Sequence, residues 1–467
     1  MATLTFFGAA QEVTGSCHRI ESPALGSMLL DCGMHQGGDA VERLHQEDFA
    51  FDPETIDAVI LSHAHLDHSG LLPRLVNEGF RKPIYCTAAT RDLLEIMLED
   101  SAALYERDLE RENLRRARRG RKKIKARYSM KDVARTLQLC QPQEYGESRQ
   151  IGEEATLKFH DAAHILGSAI VELRMRETGK EKILVFSGDL GKSDSTLMSS
   201  PAELEDASLL LVESTYGDRN HRMMGDTLGE LKEVLRDTWQ DGGNVMIPAF
   251  AVGRTQELLF QLGSLYQQGE LDNWQIFLDS PMAIKVTAVY SRWLAQLDED
   301  VLRALRAEGK KTLETFLPSL NLSVTPEESM AINKVKRGAI IIAGSGMCTG
   351  GRIRHHFKQR IWNERNTIIF CGFQARGTLG RLLVDGVKQI RMFNDEFAVK
   401  ARIETLGGFS AHAGQSELLA WIGNFNSRPR VVLVHGEPRA MDILSEKIWQ
   451  QQQSAAETPR LGQSVIF

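Results

Sequence analysis

The apolar residues of this chain fall largely in short runs, each stopped by a polar residue and a turn. "GSMLLDCG" (26–33), "IDAVILSHAHLDHSG" (56–70), "TLKFHDAAHILGS" (156–168), "KILVFSGDLG" (182–191), "LLLVESTYGDR" (209–219) and "RVVLVHGEP" (430–438) share this form. Runs of this length, rich in Val, Ile and Leu and closed by turn residues, predict buried strands. A second pattern fills the middle of the chain. "NVMIPAFAVGRTQELLFQL", "WQIFLDSPMAIKVTAVYSRW", "GAIIIAGSGMCTGGRIRHHF" and "NTIIFCGFQARGTLGRLLV" each read as strand, turn and helix. Repetition of that unit predicts a parallel sheet with helices on both faces. The helical stretch "RDLLEIMLEDSAALYERDLE" (91–110) runs into "RENLRRARRGRKKIKARY" (111–128), and the two together predict an exposed helical hairpin with a basic end.

A chain of 467 residues exceeds one ordinary core and has room for two or three domains. With 42% hydrophobic and 25% charged residues it has the composition of a soluble globular protein. No apolar run approaches the ~20 residues of a membrane span, so no membrane association is expected. The N-terminal "MATLTFFGAAQEVTG" has neither a basic leader nor an apolar core with a cleavage site, so no secretory signal is expected. Six cysteines lie far apart, with no CxxC pair, and read as reduced thiols of a cytoplasmic protein. The formal net charge of −6 does not by itself point to a polyanion, but the charge is uneven: segment 111–127 is strongly basic. That segment reads either as a solvated helix paired with the preceding acids or as an arm touching RNA or another macromolecule.

Chemistry concentrates where the strands end, the edge at which open α/β sheets keep their sites. His63, His65, Asp67 and His68 lie within six residues, directly after "IDAVI". Imidazole and carboxylate are the ligands zinc and similar ions prefer. Spacings of i, i+2, i+4 and i+5 in a tight turn cannot all serve one ion, and two adjacent ions sharing the loop are the natural reading. Asp31, His164, Asp189, His412 and His435 sit in comparable turns and supply further candidates. Singly, each reads as an ordinary turn residue. Together they read as two metal sites.

The pattern His63-Ala-His65-Leu-Asp67-His68, followed by His164 and Asp189, resembles the signature of the metallo-β-lactamase fold. The resemblance implies an α/β protein, an αββα sandwich with two zinc ions per chain. By it, His63, His65 and His164 would bind one ion, Asp67 and His68 the other (a set that His435 completes by the β-CASP resemblance given next), and Asp189 would bridge them. Asp31 would orient the histidine loop, as carboxylates commonly do for imidazole ligands. The strand–turn–helix units between Asp189 and the final His-bearing strands resemble the β-CASP domain, an inserted parallel-sheet domain of nucleases of this fold. This implies domains at 1–209 and 401–467 (metallo-β-lactamase) and 210–400 (β-CASP).

Within that family, Glu213 in "VESTYG", His412 in "FSAHAG" and His435 in "LVHGEP" match the motifs in order. Asp67, His412 and Glu213 would be catalytic, with His412, paired to Glu213, protonating the leaving oxygen after attack by a metal-bridging hydroxide. RNA-processing members carry His at position 435 and DNA-repair members an apolar residue, so RNA is the expected partner. The chain is most similar to prokaryotic relatives of the pre-mRNA 3′-end cleavage endonuclease subunit. It departs from members that open with KH domains, and from the RNase J group with its long C-terminal domain. The expected activity is a zinc-dependent ribonuclease, an endonuclease with 5′-to-3′ exonuclease action left open. A DNA nuclease of the same fold, a silent RNA-binding scaffold subunit and a small-molecule hydrolase are the rival readings, and a homodimer is left open. "AGSGMCTGGR" (343–352) reads either as a tight turn or as a phosphate cradle. Nearby Arg254, Arg352 and Arg376 favour phosphate. Arg254, Ser345, Gly346 and Arg376 are the substrate-binding candidates.

Overall fold

A computed structural model describes residues 1–35, 40–177 and 179–467. The chain divides into two compact units: residues 1–191, 200–220 and 412–467, and residues 192–199 and 221–411.

The first unit holds two seven-stranded sheets. One runs in the order Ser464–Ile466, Thr3–Phe6, His18–Ser22, Gly26–Leu30, Ala58–Ile60, Ile84–Thr87, Cys140–Gln143. The other runs Ala456–Glu457, Arg430–Val434, Leu209–Glu213, Lys180–Phe186, Ala169–Glu177, Ala155–Asp161, Ser148–Gly152. Their period-2 side chains sort cleanly. Leu4, Phe6, Ile20, Met28, Leu30 and Ile60 of one sheet share a core with Leu157, Phe159, Val171, Leu184, Phe186, Leu211 and Val434 of the other. The alternate positions of the second sheet, among them Val185, Leu210, Val212 and Leu433, pack on helices Gln415–Gly423 and Pro438–Gln452 through Leu418, Ile422, Met441 and Leu444. Helix Ala88–Arg118 lies against strands Ile84–Thr87 and Cys140–Gln143 of the first sheet. The order of layers is helix, sheet, sheet, helix.

Strand direction decides where the polar ends meet. Gly26–Leu30 and Ala58–Ile60 are parallel, so Asp31 and the 61–70 loop leave one edge together. Lys180–Phe186, Leu209–Glu213 and Arg430–Val434 are also parallel, which brings Asp189, Glu213 and His435 to one edge of the second sheet. Ala155–Asp161 reaches the same edge because two antiparallel pairings restore its direction, and its turn carries His164.

The second unit is built on a six-stranded, all-parallel sheet in the order Leu320–Leu322, Gln275–Leu278, Ala339–Ala343, Val245–Pro248, Thr367–Phe370, Arg402–Thr405. Val245 and Ile247 pack on helices Met224–Gln240 and Arg254–Gln267, while Met246 faces helix Ile353–Arg360. All four strand–turn–helix stretches read from the sequence take that form.

The basic segment differs from expectation. Helix Ala88–Arg118 ends at a turn in which Gly120 takes φ +65°, Gly120 donates to Ala117 O and Arg121 donates to Arg116 O. The returning segment, 121–128, is irregular, neither helix nor strand. Its cations have no acidic neighbour at helical spacing, and like charges three and four apart destabilise a helix. Instead it is fastened back onto the helix. Asn113 bonds both the N–H and the carbonyl of Ile124, and Tyr128 stacks on Tyr105.

Candidate metal centre

Asp31 organises the histidine loop. It is fully buried and sits at φ +61°, a left-handed conformation that costs a non-glycine residue roughly 1 kcal/mol and recurs at functional sites. One oxygen accepts the Ser62 amide at 2.8 Å; the other takes the hydroxyls of Ser16 and Ser62 at 3.0 Å each. That second oxygen also meets His68 Nδ1 at 2.7 Å, which turns His68 Nε2 inward. Gly33 permits the close approach this requires: a Cβ there would lie 1.7 Å from the Asp67 carbonyl oxygen. Ala163, beside His164, and His435 also take positive φ, at +55° and +48°.

Four donors converge at the first position. His63 Nε2 is 3.1 Å from His65 Nδ1, and His164 Nε2 is 3.3 Å from the same atom. Asp189 Oδ2 is 3.6 Å from both His63 Nε2 and His164 Nε2. Donors about 2.1 Å from a tetrahedral ion lie about 3.4 Å from one another, which is the spacing seen. Asp67, His68 and His435 form a second group, with His435 Nε2 3.7 Å from Asp67 Oδ2. The two groups share a carboxylate. Asp189 Oδ1 faces away from the first set, 3.3 Å from His68 Nε2 and 3.4 Å from His435 Nδ1.

The donor set fits a cation. His68 Nε2, His435 Nε2 and Asp189 Oδ1 are buried and make no hydrogen bond, an arrangement that costs a folded protein free energy unless something positive lies between them. Burial holds His63 and His65 below the ordinary imidazole range, in the neutral form that ligates. Burial opposes ionisation of Asp67, yet the His435 imidazole 3.7 Å away brings its carboxyl down to about 2. Asp189 likewise resists burial, through the charges of His435 and His68.

Beside this cluster, His412 Nδ1 lies 3.0 and 3.3 Å from the two oxygens of Glu213, which is fully buried. Glu213 is held by the amides of Leu190 at 2.8 Å and Thr215 at 3.3 Å. Burial lowers the His412 pKa, but Glu213 and Asp189 overcome it and raise it to about 9. The geometry therefore brings all seven sequence-read ligands, Asp31, Glu213 and His412 into one neighbourhood. It adds Ser16, Ser62 and Thr215, whose hydroxyl lies 3.1 Å from His435 Nδ1. Ser62 and Thr215 could have been found, since they adjoin His63 and follow Glu213; nothing in the sequence marks Ser16.

The remaining candidates lie in the second unit. Arg254 opens helix Arg254–Gln267, and Arg376 is exposed in the turn after strand Thr367–Phe370. Ser345 Oγ accepts from the Gly350 amide at 3.2 Å and so helps close its own loop, and the Gly346 carbonyl accepts from Gln374. Arg352 differs from the sequence reading. Its guanidinium is committed to the buried Asp279 at 2.7 Å and to the carbonyls of Ser323 and Val324, so it braces the turn.

Comparison with known proteins agrees with this picture. The sequence model of the Metallo-beta-lactamase superfamily matches residues 12–249, that of the Beta-Casp domain residues 255–383, and that of the Zn-dependent metallo-hydrolase RNA specificity domain residues 396–459. Ribonuclease TTHA0252 of Thermus thermophilus is 40% identical over 442 residues, 94% of each chain. Transcription termination factor FttA of Methanosarcina mazei is 32% identical over 96% of this chain and 69% of its own. A solved protein of unknown function from Enterococcus faecalis V583 shares the fold over 100% of both chains, with a TM-score of 0.53 at 14% identity. The chain belongs to the β-CASP branch of the metallo-β-lactamase superfamily.

Proposed function

We propose that this chain is a metal-dependent ribonuclease that hydrolyses RNA phosphodiester bonds. The observation that carries the reading is Asp189, whose two oxygens face two separate sets of His and Asp donors. That sharing supports two ions, with His63, His65 and His164 on one, Asp67, His68 and His435 on the other, and Asp189 between. Zinc is the metal best suited to these donors, though nitrogen and oxygen sites of this kind also take manganese or iron. Divalent cations bound there supply positive charge to the phosphate oxygens and lower the pKa of water toward neutrality.

The chain's own residues perform the rest. Glu213 holds His412 at Nδ1, so the proton for the departing 3′ oxygen comes from Nε2 and the other product keeps a 5′-phosphate. Asp31 keeps His68 Nε2 aimed at its ion through the bond to Nδ1. Preference for RNA over DNA is supported by the ribonuclease-named relative and by the RNA specificity domain match, which contains both His412 and His435. Arg254, Ser345, Gly346 and Arg376 are proposed to contact RNA phosphates, supported by their place at the C-terminal edge of a parallel sheet. A metallo-hydrolase part of 1–209 and 401–467 around an inserted part of 210–400 is proposed; two compact units support such a division, with residues 210–220 clustering with the first unit and 401–411 with the second. No helix among the described residues is long and apolar enough to cross a membrane. Six free, buried cysteines support a cytoplasmic setting.

The test is cleavage of one 5′-labelled RNA and its DNA counterpart by zinc-loaded protein, with a His65→Ala sample alongside and the metal content measured. RNA cut, DNA spared and the variant silent is the expected result, and product sizes separate internal from end-directed cutting. Equal cutting of DNA overturns the substrate assignment. Intact RNA in protein shown to hold its metals overturns the nuclease reading.

A further inference from the structure

The basic hairpin formed by the end of helix Ala88–Arg118 and the returning segment 121–128 takes no part in the metal chemistry. From Asn113 to Lys131 the chain has ten cationic residues and no acidic one, within a protein of net charge −6. Part of this charge is compensated: Arg115 and Arg116 pair with Glu112, and Arg127 with Asp48. Arg118, Arg119, Arg121, Lys122, Lys123 and Lys125 are exposed and form no ion pair with described residues. They are not a floppy charge run. The two Asn113–Ile124 hydrogen bonds, the bond from Arg116 to the Lys122 carbonyl and the Tyr105–Tyr128 stack hold helix and returning segment together.

The hairpin also projects. The buried positions of the helix stop at Tyr105, so its last 13 residues extend about 20 Å beyond the packed part. Its other end is anchored at the metal centre: Thr87 and Thr90 hydroxyls donate to Gly167 O at 2.6 and 2.8 Å, in the turn that carries His164. A 31-residue helix is about 46 Å long, so the cationic tip is remote from the helix end that touches the His164 turn.

We propose that this tip is a remote docking site for the phosphate backbone of the RNA strand flanking the cleavage point, a proposal that takes its ligand from the ribonuclease reading. The chemistry favours a polyanion over a protein partner. Protein interfaces centre on apolar and aromatic side chains and are depleted of charge at the core. Here Leu114 is the one large apolar side chain exposed between residues 111 and 128, and the one aromatic residue of that stretch, Tyr128, is buried against Tyr105. Guanidinium groups suit phosphate, and without a stacking platform or groups aimed at base edges the contact is independent of sequence. The tip therefore selects for length: a strand too short to reach it from the cleavage point cannot use it.

The test compares wild type with a variant carrying Arg118→Gln, Arg119→Gln, Lys122→Gln and Lys123→Gln, exposed side chains on which the hairpin's own fastening does not depend. Binding is read by fluorescence anisotropy of labelled RNAs of about 4 and 40 nucleotides between 50 and 200 mM salt, in a His65→Ala background that leaves the strand intact. Each phosphate left without its cation reduces the log–log salt slope by ~0.7 for single strands, so the slope for the long RNA should fall by about 3, with at least tenfold weaker binding at low salt. The short RNA should bind both proteins alike, and with His65 restored its kcat/KM should not change. An unchanged slope for the long RNA overturns the proposal. If wild type cleaves nothing yet the variant loses long-RNA binding, the docking site stands and the nuclease reading falls.

Discussion

Glu213 grips His412 through both carboxylate oxygens, 3.0 and 3.3 Å from Nδ1, and two backbone amides fix the carboxylate in turn. The working form of His412 in the proposed mechanism is protonated. It is lost as pH rises through its pKa, which Glu213 and Asp189 raise to about 9 against the lowering effect of burial. Glu213→Gln keeps an acceptor for Nδ1 and removes the charge. Its alkaline limb in a kcat–pH profile should move to lower pH, with kcat at pH 8.5 falling tenfold or more, since general acids contribute about 10²–10⁴-fold. KM should change little. An alkaline limb that stays in place would show that another group delivers the proton.

Asp31 touches no candidate ion directly, yet it holds His68 Nδ1 at 2.7 Å and both the amide and hydroxyl of Ser62. Asp31→Asn replaces one acceptor oxygen with a donor in a pocket already supplied with four donors. Loss of such a partner commonly weakens metal binding about 10- to 100-fold. Competition with a chromophoric chelator should show that loss for one of the two ions, the one that depends on His68. Equal weakening of both, or of neither, would contradict the division of ligands.

Removing the metals should destabilise the first unit selectively. Without cations, buried donors 3.1–3.6 Å apart face one another with nothing between them. A ligand present at a thousand times its Kd stabilises by ~4.1 kcal/mol. Calorimetric scans of chelated and zinc-restored protein should therefore differ by several degrees in one transition. The second unit, whose core contains no such cluster among the described residues, should melt unchanged. A uniform shift of all transitions would point to a structural coupling beyond the metal centre.

Much of the metal centre is legible in the sequence itself. The ligands are polar residues that interrupt short apolar runs, and strand direction alone brings such interruptions to one edge. The rest depends on tertiary partners that spacing does not encode. Asp279 in "LDSP" reads as a turn residue, yet it is fully buried and binds Arg352, 73 residues away, which removes that arginine from the phosphate candidates. Ser16 serves Asp31 across 15 residues of loop and strand, and serines in such loops are too common to be informative. The basic segment departs from its pattern for a different reason. Its composition suits a helix residue by residue, but Gly120 and the uninterrupted positive charge that follows turn it back as an irregular segment.

Gly33 offers a test of how tightly the metal loop depends on its backbone. The Asp67 carbonyl accepts from Ser16 N at 2.7 Å, Ser16 O from Gly33 N at 2.8 Å, and His68 O from Cys32 N at 2.8 Å, so three segments meet with no room for a side chain. A Cβ on residue 33 would lie 1.7 Å from the Asp67 carbonyl oxygen and 2.8 Å from Ser16 N. Both are backbone atoms, and no rotamer change relieves the clash. Gly33→Ala should shift the loop bearing Asp67 and His68, with a cost at or above the ~1–3 kcal/mol typical of overpacking. Gly229→Ala is the control: it lies within helix Met224–Gln240, a Cβ there meets nothing within 4 Å, and alanine favours the helix by up to ~1 kcal/mol. Metal content and thermal unfolding of the two variants are the readouts. Gly33→Ala should lose metal and melt lower while Gly229→Ala keeps its metal and melts no lower than wild type. A Gly33→Ala protein with full metal content would mean that the loop can relax without disturbing its ligands.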